Sequence, residues 1–338
     1  MSKDLINLSH GNGGAFFHEL LNKVIHPAFS PEGSEAQDPG DAYLLEPNQG
    51  ALAFATDTHV ISPRFFPGGD IGSLAAHGTM NDLAVMGARP RWLSCGLILE
   101  EGFEIEELKN ILENLAKAAK DDGVKIVTGD TKVVERGAAD GLYINTSGIG
   151  TLCPNAPKGI SSVREDDVVI VSGTLGDHGL AIYSRREGIS MESDLTSDSA
   201  SIWPLVERAM EACSTIRCMR DPTRGGLATT LNEWCVGKPW GILLDESSIP
   251  LRDSVKGLCE LLGFDPLYVA NEGKVIMVVP PEEANRALAS LKSHPLGQDA
   301  AVIGRIRSQS AGKVCLRTPI GGERIVDMLR GDQLPRIC

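Results

Sequence analysis

The chain has 338 residues, of which 42% are hydrophobic and 23% charged, a composition typical of a globular protein long enough for two domains. Its 32 basic and 45 acidic residues give a net charge of −13. This charge argues against nucleic acid or an anionic membrane as the main partner, because phosphate groups are held by lysine and arginine. The sequence contains neither a signal-peptide core nor a run of about 18 apolar residues, so we expect a cytoplasmic protein without a membrane anchor.

The first half of the chain is predicted to alternate strands with helices. Apolar patterns predict helices at 14–25, 71–87 and 104–120, and strands at 51–61, 92–99, 124–127 and 142–151. In the first strand, Ala53, Ala55, Asp57 and His59 are expected to share one face, because side chains alternate along a strand. The polar residues 128–132 are expected to form a turn that closes the strand 124–127.

The second half is predicted to form another α/β domain. Two prolines and mixed charge at 154–167 indicate the boundary, which gives domains at 1–155 and 156–330. The predicted strands are 168–172, 242–244, 267–270, 275–279, 301–306 and 313–317, and the predicted helices are 201–218, 226–235, 255–262 and 282–291. Residues 331–338 follow as a flexible tail, since they combine glycine and proline and have no regular period.

The eight cysteines are too sparse for a disulfide scaffold and lack C-x-x-C or zinc-type spacing. We therefore predict reduced thiols, most of them buried as small apolar residues. Cys338 differs, because the predicted tail would carry its thiol to other surfaces. A cysteine without a role fits the tail equally well.

Four aspartates of the first half stand alone at the ends of apolar elements, namely Asp41, Asp57, Asp82 and Asp130. Each one alone is best explained as a helix cap or turn residue. As a set beside glycine-rich loops they favour metal–nucleotide binding, since Mg²⁺ is held by a few carboxylates and bridges phosphate oxygens. The sequence lacks G-x-x-x-x-G-K-[ST], which excludes a P-loop enzyme, and the glycines at 11–14 do not follow the Rossmann spacing.

Three further places could carry chemistry. Lys132 follows a Gly-Asp pair and is either a phosphate contact or a solvated lysine. Thr223, Arg224 and Gly225 precede a predicted helix, where free amides and an arginine favour an anion, although a well-capped helix is equally consistent. Glu272 lies in a predicted tight turn and is either a general base or simply an acidic turn residue.

Six stretches together resemble the HypE family of hydrogenase maturation factors, which is related to aminoimidazole ribonucleotide synthetase and selenophosphate synthetase. They are SHGNGG at 9–14, FFPGGDIG at 65–72, TMNDLAVMGA at 79–88, GDTKVV at 129–134, DPTRGG at 221–226 and PRIC at 335–338. The resemblance implies an α/β (α+β) fold of the two-domain aminoimidazole ribonucleotide synthetase type. It also implies a homodimer, in which the N-terminal domains form a β-barrel with ATP nearby.

The same resemblance implies a reaction. HypF would place a carbamoyl group on Cys338, and this chain would use ATP and Mg²⁺ to dehydrate the S-carboxamide to an S-cyanate. A HypC–HypD complex would accept the cyanide for the iron of the [NiFe]-hydrogenase centre.

Carried over residue by residue, the resemblance assigns Lys132 to phosphate contact and Glu272 to proton removal. It assigns metal binding to Asp41, Asp57, Asp82 and Asp130, and ATP binding to His10, Gly11, Asn12, Gly13, Asp57, Asn81, Asp82, Asp130 and Thr131. A lysine beside Glu272 would lower the pKa of that glutamate and weaken it as a base.

Two other hypotheses stay open at this point. A related ATP-using enzyme could phosphorylate a free small molecule, such as a thiamine or selenium compound, and its activity would survive loss of Cys338. A non-catalytic docking protein could use the PRIC tail as a recognition peptide, and it would hydrolyse no ATP.

Overall fold

The computed structural model describes residues 5–11, 15–29, 50–189 and 195–329, which form two α/β units. The predicted tail, Cys338, Asp41, Asn12 and Gly13 lie outside these residues. The first unit contains, in chain order, α1 (Ala15–Leu20), a π-helical turn (Leu21–Ile25), α2 (His26–Phe29), β1 (Leu52–His59), β2 (Phe65–Phe66), β3 (Gly69–Asp70), α3 (Ile71–Val85), β4 (Ala88–Glu100), α4 (Ile105–Asp121), β5 (Lys125–Val134) and β6 (Leu142–Leu152).

The main sheet of this unit has four strands in the order β1-β6-β4-β5, with only the β4–β5 pair parallel. Helices α3 and α4 cover one face of this sheet. Leu74, Leu108 and Leu112 are fully buried there against the apolar side chains of the sheet. The predicted alternation of β1 is confirmed: Asp57 and His59 approach Gly78 of α3, whereas Phe54 points away from the helices and is 69% exposed.

The end of β5 differs from the prediction. Residues 128–132 do not turn but continue the strand to Val134, paired in parallel with β4. Asp130 lies opposite Gly96, and Lys132 lies opposite Ile98. Both side chains therefore project from the face of the sheet that α3 and α4 leave open.

The second unit is built on a seven-stranded sheet in the order β13-β12-β9-β11-β7-β10-β8, in which only β12 and β9 are parallel. Its elements are β7 (Val168–Val171), α5 (Asp177–Arg186), α6 (Trp203–Ala212), β8 (Cys218–Arg220), α7 (Gly226–Cys235), β9 (Gly241–Asp245), α8 (Asp253–Leu262), β10 (Ile276–Val279), α9 (Ala284–Lys292), β11 (Ala301–Arg307), β12 (Val314–Arg317) and β13 (Glu323–Val326).

Two predictions for this unit were wrong, and two further elements were missed. The helix predicted at 201–218 ends at Ala212, and Cys218 instead begins β8. The strand predicted at 267–270 is replaced by a short 3-10 turn at Pro266–Tyr268, where proline cannot donate to a ladder. Helix α5 and strand β13 were not predicted.

The two units share an apolar interface. Ala84 and Val85, at the end of α3, are buried in the same core as Ile202 and Trp203 of the second unit. Ile182 of α5 is buried in the core of the first unit. The interface fixes the position of α3, which carries Asp82, against the second sheet.

None of the helices in the described part of the chain is both long and apolar enough to cross a bilayer. The seven cysteines from Cys95 to Cys315 are all free thiols, and six of them are buried.

Candidate active site

Four carboxylates from separate elements approach one another where the two units meet. Asp57 lies near the end of β1, Asp82 in α3, Asp221 directly after β8, and Glu272 in the turn before β10. Each of the charges of Asp57, Asp82 and Asp221 raises the pKa of Glu272. The sequence predicted the first two of these aspartates as metal ligands, and the structure adds Asp221.

The protonation of this carboxylate cluster is strongly perturbed. Burial raises the pKa of Asp82 to about 7, helped by the nearby charges of Asp221 and Asp57. Burial also raises the pKa of Asp221 to about 6, against a lowering by Arg220. Ionising these buried, mutually repelling aspartates costs free energy, and a divalent cation bound to them would offset both the burial cost and the repulsion.

Asp57 is held in the ionised form. Burial alone would raise its pKa, but His59, the Thr58 amide and the charge of Arg224 together lower it. The His59 Nε2 atom lies 3.2 Å from Asp57 Oδ2, and the Thr58 N–H donates to Oδ1 at 2.9 Å. Asp57 is therefore the member of the cluster best prepared to bind a cation.

Glu272 is 5% exposed and has no hydrogen-bond partner for its carboxylate among the described residues. Burial is the main cause that raises its pKa well above the usual range, and the charges of Asp221 and Asp198 raise this pKa further. Lys132 is not among the groups that act on this pKa, and it lies on the open face of the first sheet. A glutamate with a raised pKa is a stronger base once it has lost its proton.

Asn81, predicted as an ATP contact, joins the two units instead of facing open space. Its Nδ2 group donates to the carbonyls of Ala200 at 3.0 Å and Glu272 at 3.1 Å, and its Oδ1 accepts from the Ile202 N–H at 2.9 Å. The side chain is 1% exposed, so its hydrogen-bonding capacity is used within the protein.

The predicted anion loop lies beside the carboxylate cluster. Arg224 is close enough to Asp57 to lower its pKa, and Gly225 and Gly226 open helix α7 with φ angles of +73° and +60°. A side chain at Gly226 would collide with backbone oxygens of the 267–269 turn, so glycine is required there. The loop therefore lies beside Asp57, with Arg224 as the residue whose charge acts on it.

Asp130 and Lys132 do not join this cluster within one chain. Across the sheet, Asp130 is in line with Gly96, Asn145 and Thr58, and Thr58 faces away from Asp57. Asp130 and Lys132 pair with each other at 3.2 Å, with side chains 67% and 66% exposed. Of the three predicted metal ligands within the described ranges, Asp57 and Asp82 therefore lie in the cluster and Asp130 lies apart from them in a single copy.

His10 and Gly11 lie in a short 3-10 turn (Leu8–Gly11) that packs against β5. His10 is 8% exposed and accepts the Asn7 N–H at Nδ1, 3.0 Å away. Thr131, buried on the helix side of β5, donates its N–H to Asp130. These predicted ATP contacts are thus grouped at β5, separate from the cluster.

Two functional candidates were missed by sequence reasoning. Asp198 and Lys274 form a buried ion pair, with Nζ and Oδ2 2.8 Å apart and side chains 4% and 8% exposed. The pair lies directly beneath the turn that carries Glu272. A charged residue in an otherwise Ser-rich, irregular stretch was the only available signal for Asp198.

A divalent cation is implied by the resemblance, and the cluster fits it in part. In the described ranges, no three His, Cys, Asp or Glu side chains lie close enough together to form a ready-made metal site. Asp57, Asp82 and Asp221 nevertheless offer the oxygen ligands that Mg²⁺ takes, with water and phosphate oxygens completing its coordination.

Two family models match the chain: the N-terminal domain of AIR synthase related proteins over residues 39–152 and their C-terminal domain over residues 164–316. The fold and the interdomain carboxylate cluster thus define a member of this class. The carbamoyl dehydratase HypE of Azotobacter vinelandii is 47% identical over 333 residues, covering 98% of this chain and 97% of that protein. The chain belongs to the HypE family.

Solved structures agree with this assignment. The crystal structure of a hydrogenase maturation protein HypE in complex with ATP matches with a TM-score of 0.91 at 45% identity, covering 98% of this chain and 99% of that one. A chain from a HypE–HypF complex matches with a TM-score of 0.79 at 44% identity, covering 93% and 99%. The predicted two-domain α/β fold of the AIR synthase type is confirmed.

Proposed function

We propose that this chain catalyses the ATP-dependent dehydration of a carbamoyl group on Cys338, from S-carboxamide to S-cyanate. The observation that carries the proposal is the unpaired carboxylate of Glu272, buried beside Asp57, Asp82 and Asp221 at the meeting of the two units. The proposal is supported by 47% identity to a carbamoyl dehydratase over 98% of the chain and by the likeness to an ATP-bound HypE structure.

The reaction needs a phosphoryl group and a base. The carbamoyl oxygen attacks the γ-phosphorus of ATP and ADP leaves, which turns a poor leaving group into a good one. The carbon–oxygen bond then breaks to release phosphate, while the amide nitrogen loses both protons and forms the nitrile. Glu272 is our candidate for proton removal, since its raised pKa makes it a competent base and no hydrogen bond within the described chain occupies it.

The aspartates have a different role. Asp57, Asp82 and Asp221 would hold Mg²⁺, which supplies charge neutralisation for the phosphates. Arg224 and the amides at the start of α7 would hold phosphate oxygens, since Arg224 acts on Asp57 and a helix start favours anions. This arrangement orients the nucleotide and leaves Glu272 to face the carbamoyl group.

The decisive experiment follows the mass of the intact protein. Incubation with HypF, carbamoyl phosphate, ATP and Mg²⁺ should add a carbamoyl group to Cys338, and the adduct should lose one water only when ATP is available to this chain. Addition of a HypC–HypD complex together with a reductant should then return the mass to that of the free thiol, because release of cyanide from an S-cyanate takes up two electrons. A Cys338→Ala protein that still gains and dehydrates the adduct would contradict the proposal and favour a free substrate instead.

We also propose that two copies pair through the open face of the β1-β6-β4-β5 sheet. Leu52, Phe54 and Ile98 lie on that face with exposed fractions of 50%, 69% and 41%, and a monomer gains nothing from exposing them. Asp130 and Lys132 project from the same face. Pairing would place both residues at the interface, where they could serve the nucleotide site.

Replacing Phe54 with aspartate should separate the two copies, because a charge would be buried opposite an apolar row. Light scattering after size exclusion should show one copy for Phe54→Asp and two for the original chain. The rate of water loss should fall together with dimerisation, and Lys132→Ala should slow water loss without separating the copies. A Leu261→Asp protein, changed at a position that is 78% exposed in the second unit, is the control and should stay dimeric. A Phe54→Asp protein that remains dimeric would exclude this face.

A further inference from the structure

The backbone of Glu272 is held from both sides by buried side chains. Its N–H donates to Asp198 Oδ1 at 3.0 Å, and its carbonyl accepts from Asn81 Nδ2 at 3.1 Å. Asp198 belongs to the second unit and Asn81 to helix α3 of the first. The backbone N–H and carbonyl of Glu272 are thus held by residues of the two different units. Its carboxylate has no hydrogen-bond partner among the described residues.

Asp198 does more than accept one hydrogen bond. Its Oδ2 atom also accepts from the Gly273 N–H at 3.3 Å and from Lys274 Nζ at 2.8 Å, so three donors of one turn converge on a single carboxylate. A Cβ atom on Gly273 would lie 1.9 Å from the backbone oxygen of Asp198, so the turn is packed directly onto that residue. The turn therefore cannot shift without breaking the Asp198 contacts.

The residue before Glu272 fixes the other end of the turn. Asn271 is 1% exposed, accepts the Gly176 N–H at 2.7 Å and donates to the carbonyl of Pro222 at 3.0 Å. Pro222 follows Asp221 of the carboxylate cluster. The turn is consequently tied both to the loop that supplies Asp221 and to the helix that supplies Asp82.

We propose that Asp198 and Asn81 are positioning residues for Glu272, which set the direction of its side chain relative to the carboxylate cluster. The inference rests on the proposed function, since it takes Glu272 as the base. Fixing the N–H and the C=O of one residue fixes its Cα–Cβ direction, and a base must meet its proton within hydrogen-bond reach. Because Asn81 is next to Asp82 in α3, the hydrogen bonds that join the two units also fix the base relative to Asp82.

The test is single-turnover water loss from protein already carbamoylated on Cys338, followed by intact mass after ATP and Mg²⁺ are added. The rate constant reports the geometry of active molecules, whereas the amplitude reports how many molecules are folded. Asp198→Asn should lower the rate constant about 10- to 100-fold, because small misplacements of a catalytic group have effects of this size. The ATP concentration that gives half the maximal rate should change less than threefold.

Asp167→Asn is the matched control. Asp167 is also buried, accepts the Arg164 N–H at 2.7 Å and pairs with Arg217 at 3.0 Å. It lies before β7, whereas the Glu272 turn contacts the other end of that strand, where the Val275 N–H donates to Ser172. This variant should lose stability and amplitude while keeping the rate constant. Asn81→Ala removes the other support without leaving a buried charge, so it provides the test if Asp198→Asn does not fold.

The outcomes separate the two proposals. Slow water loss in Asp198→Asn and Asn81→Ala, with a normal rate constant in Asp167→Asn, supports the positioning role. Normal rate constants in both variants, beside a stalled Glu272→Gln protein, would overturn the positioning role and leave the base assignment intact. Normal water loss in Glu272→Gln itself would overturn the base assignment and the positioning role together.

Discussion

A Glu272→Gln protein should accept the carbamoyl group at the normal rate and then convert it to the cyanate about 10²- to 10⁴-fold more slowly, the usual range for loss of a general base. Glutamine has nearly the same shape, and the contacts from Asp198 and Asn81 are made to the backbone, so the turn should stay in place. The measurement is a time course of intact mass after ATP addition.

Glu283 provides a control of matched chemistry for this experiment. It is 3% exposed, bonded to Ser214 and paired with Arg286 at the start of α9, and it has no part in the carboxylate cluster. Glu283→Gln should lower stability and leave water loss unchanged. Equal rates for the two variants would mean that the loss in Glu272→Gln reflects general damage, and an unaffected Glu272→Gln protein would exclude this residue as the base.

Local periodicity was enough to place some of the site. The predicted alternation along β1 correctly put Asp57 and His59 on one face of the strand, and the amphipathic pattern at 104–120 closely matched α4 (Ile105–Asp121). These signals depend on near neighbours in the chain, so the sequence contains them directly. The loop at 221–226 could also be expected at a helix start, because glycine and aspartate mark such places.

Other parts depended on contacts that no local pattern records. The polar run at 128–132 favours a turn, yet parallel pairing with β4 keeps it extended, and this moved Asp130 and Lys132 to the opposite face from Asp57. Asp198 acts on residues 74 to 76 positions later in the chain, from a stretch without helix or strand. The sequence supplied the chemical groups, but only tertiary pairing decided which of them meet.

The second large effect concerns pH and cations. Without nucleotide or Mg²⁺, the contribution of Asp82 and Asp221 to the free energy of unfolding should fall as the pH rises from about 5 to 8. His77 and His178, whose pKa values burial lowers to about 4, contribute in the opposite sense. Asp82 has a pKa of about 7 and Asp221 of about 6 in the folded chain, whereas an unfolded aspartate has a pKa of about 3.9. At these two aspartates the native state therefore keeps protons that the unfolded state has released, and their contribution to stability, fully present below about pH 4, is lost as the pH passes through these raised values.

Mg²⁺ with ATP should reverse this trend, because the ionised cluster binds a cation and the protonated cluster does not. The gain in melting temperature on adding Mg²⁺ and ATP should be larger at pH 8 than at pH 5.5. Asp82→Asn should raise the melting temperature of the ligand-free protein at pH 8 by several degrees, at roughly 2–4 °C per kcal/mol, and should reduce the gain from Mg²⁺ and ATP. Thermal scans across pH measure both effects.

Asp299→Asn is the control for this experiment, since Asp299 is exposed and is not among the charges that act on the pKa of Asp82 or Asp221. It should follow the pH profile of the original chain. A difference in melting temperature between the original chain and Asp82→Asn that stays constant from about pH 5 to 8 would contradict the raised pKa of Asp82. An Asp82→Asn protein with an unchanged response to Mg²⁺ and ATP would remove Asp82 from the cation site, which would leave Asp57 and Asp221 to provide it.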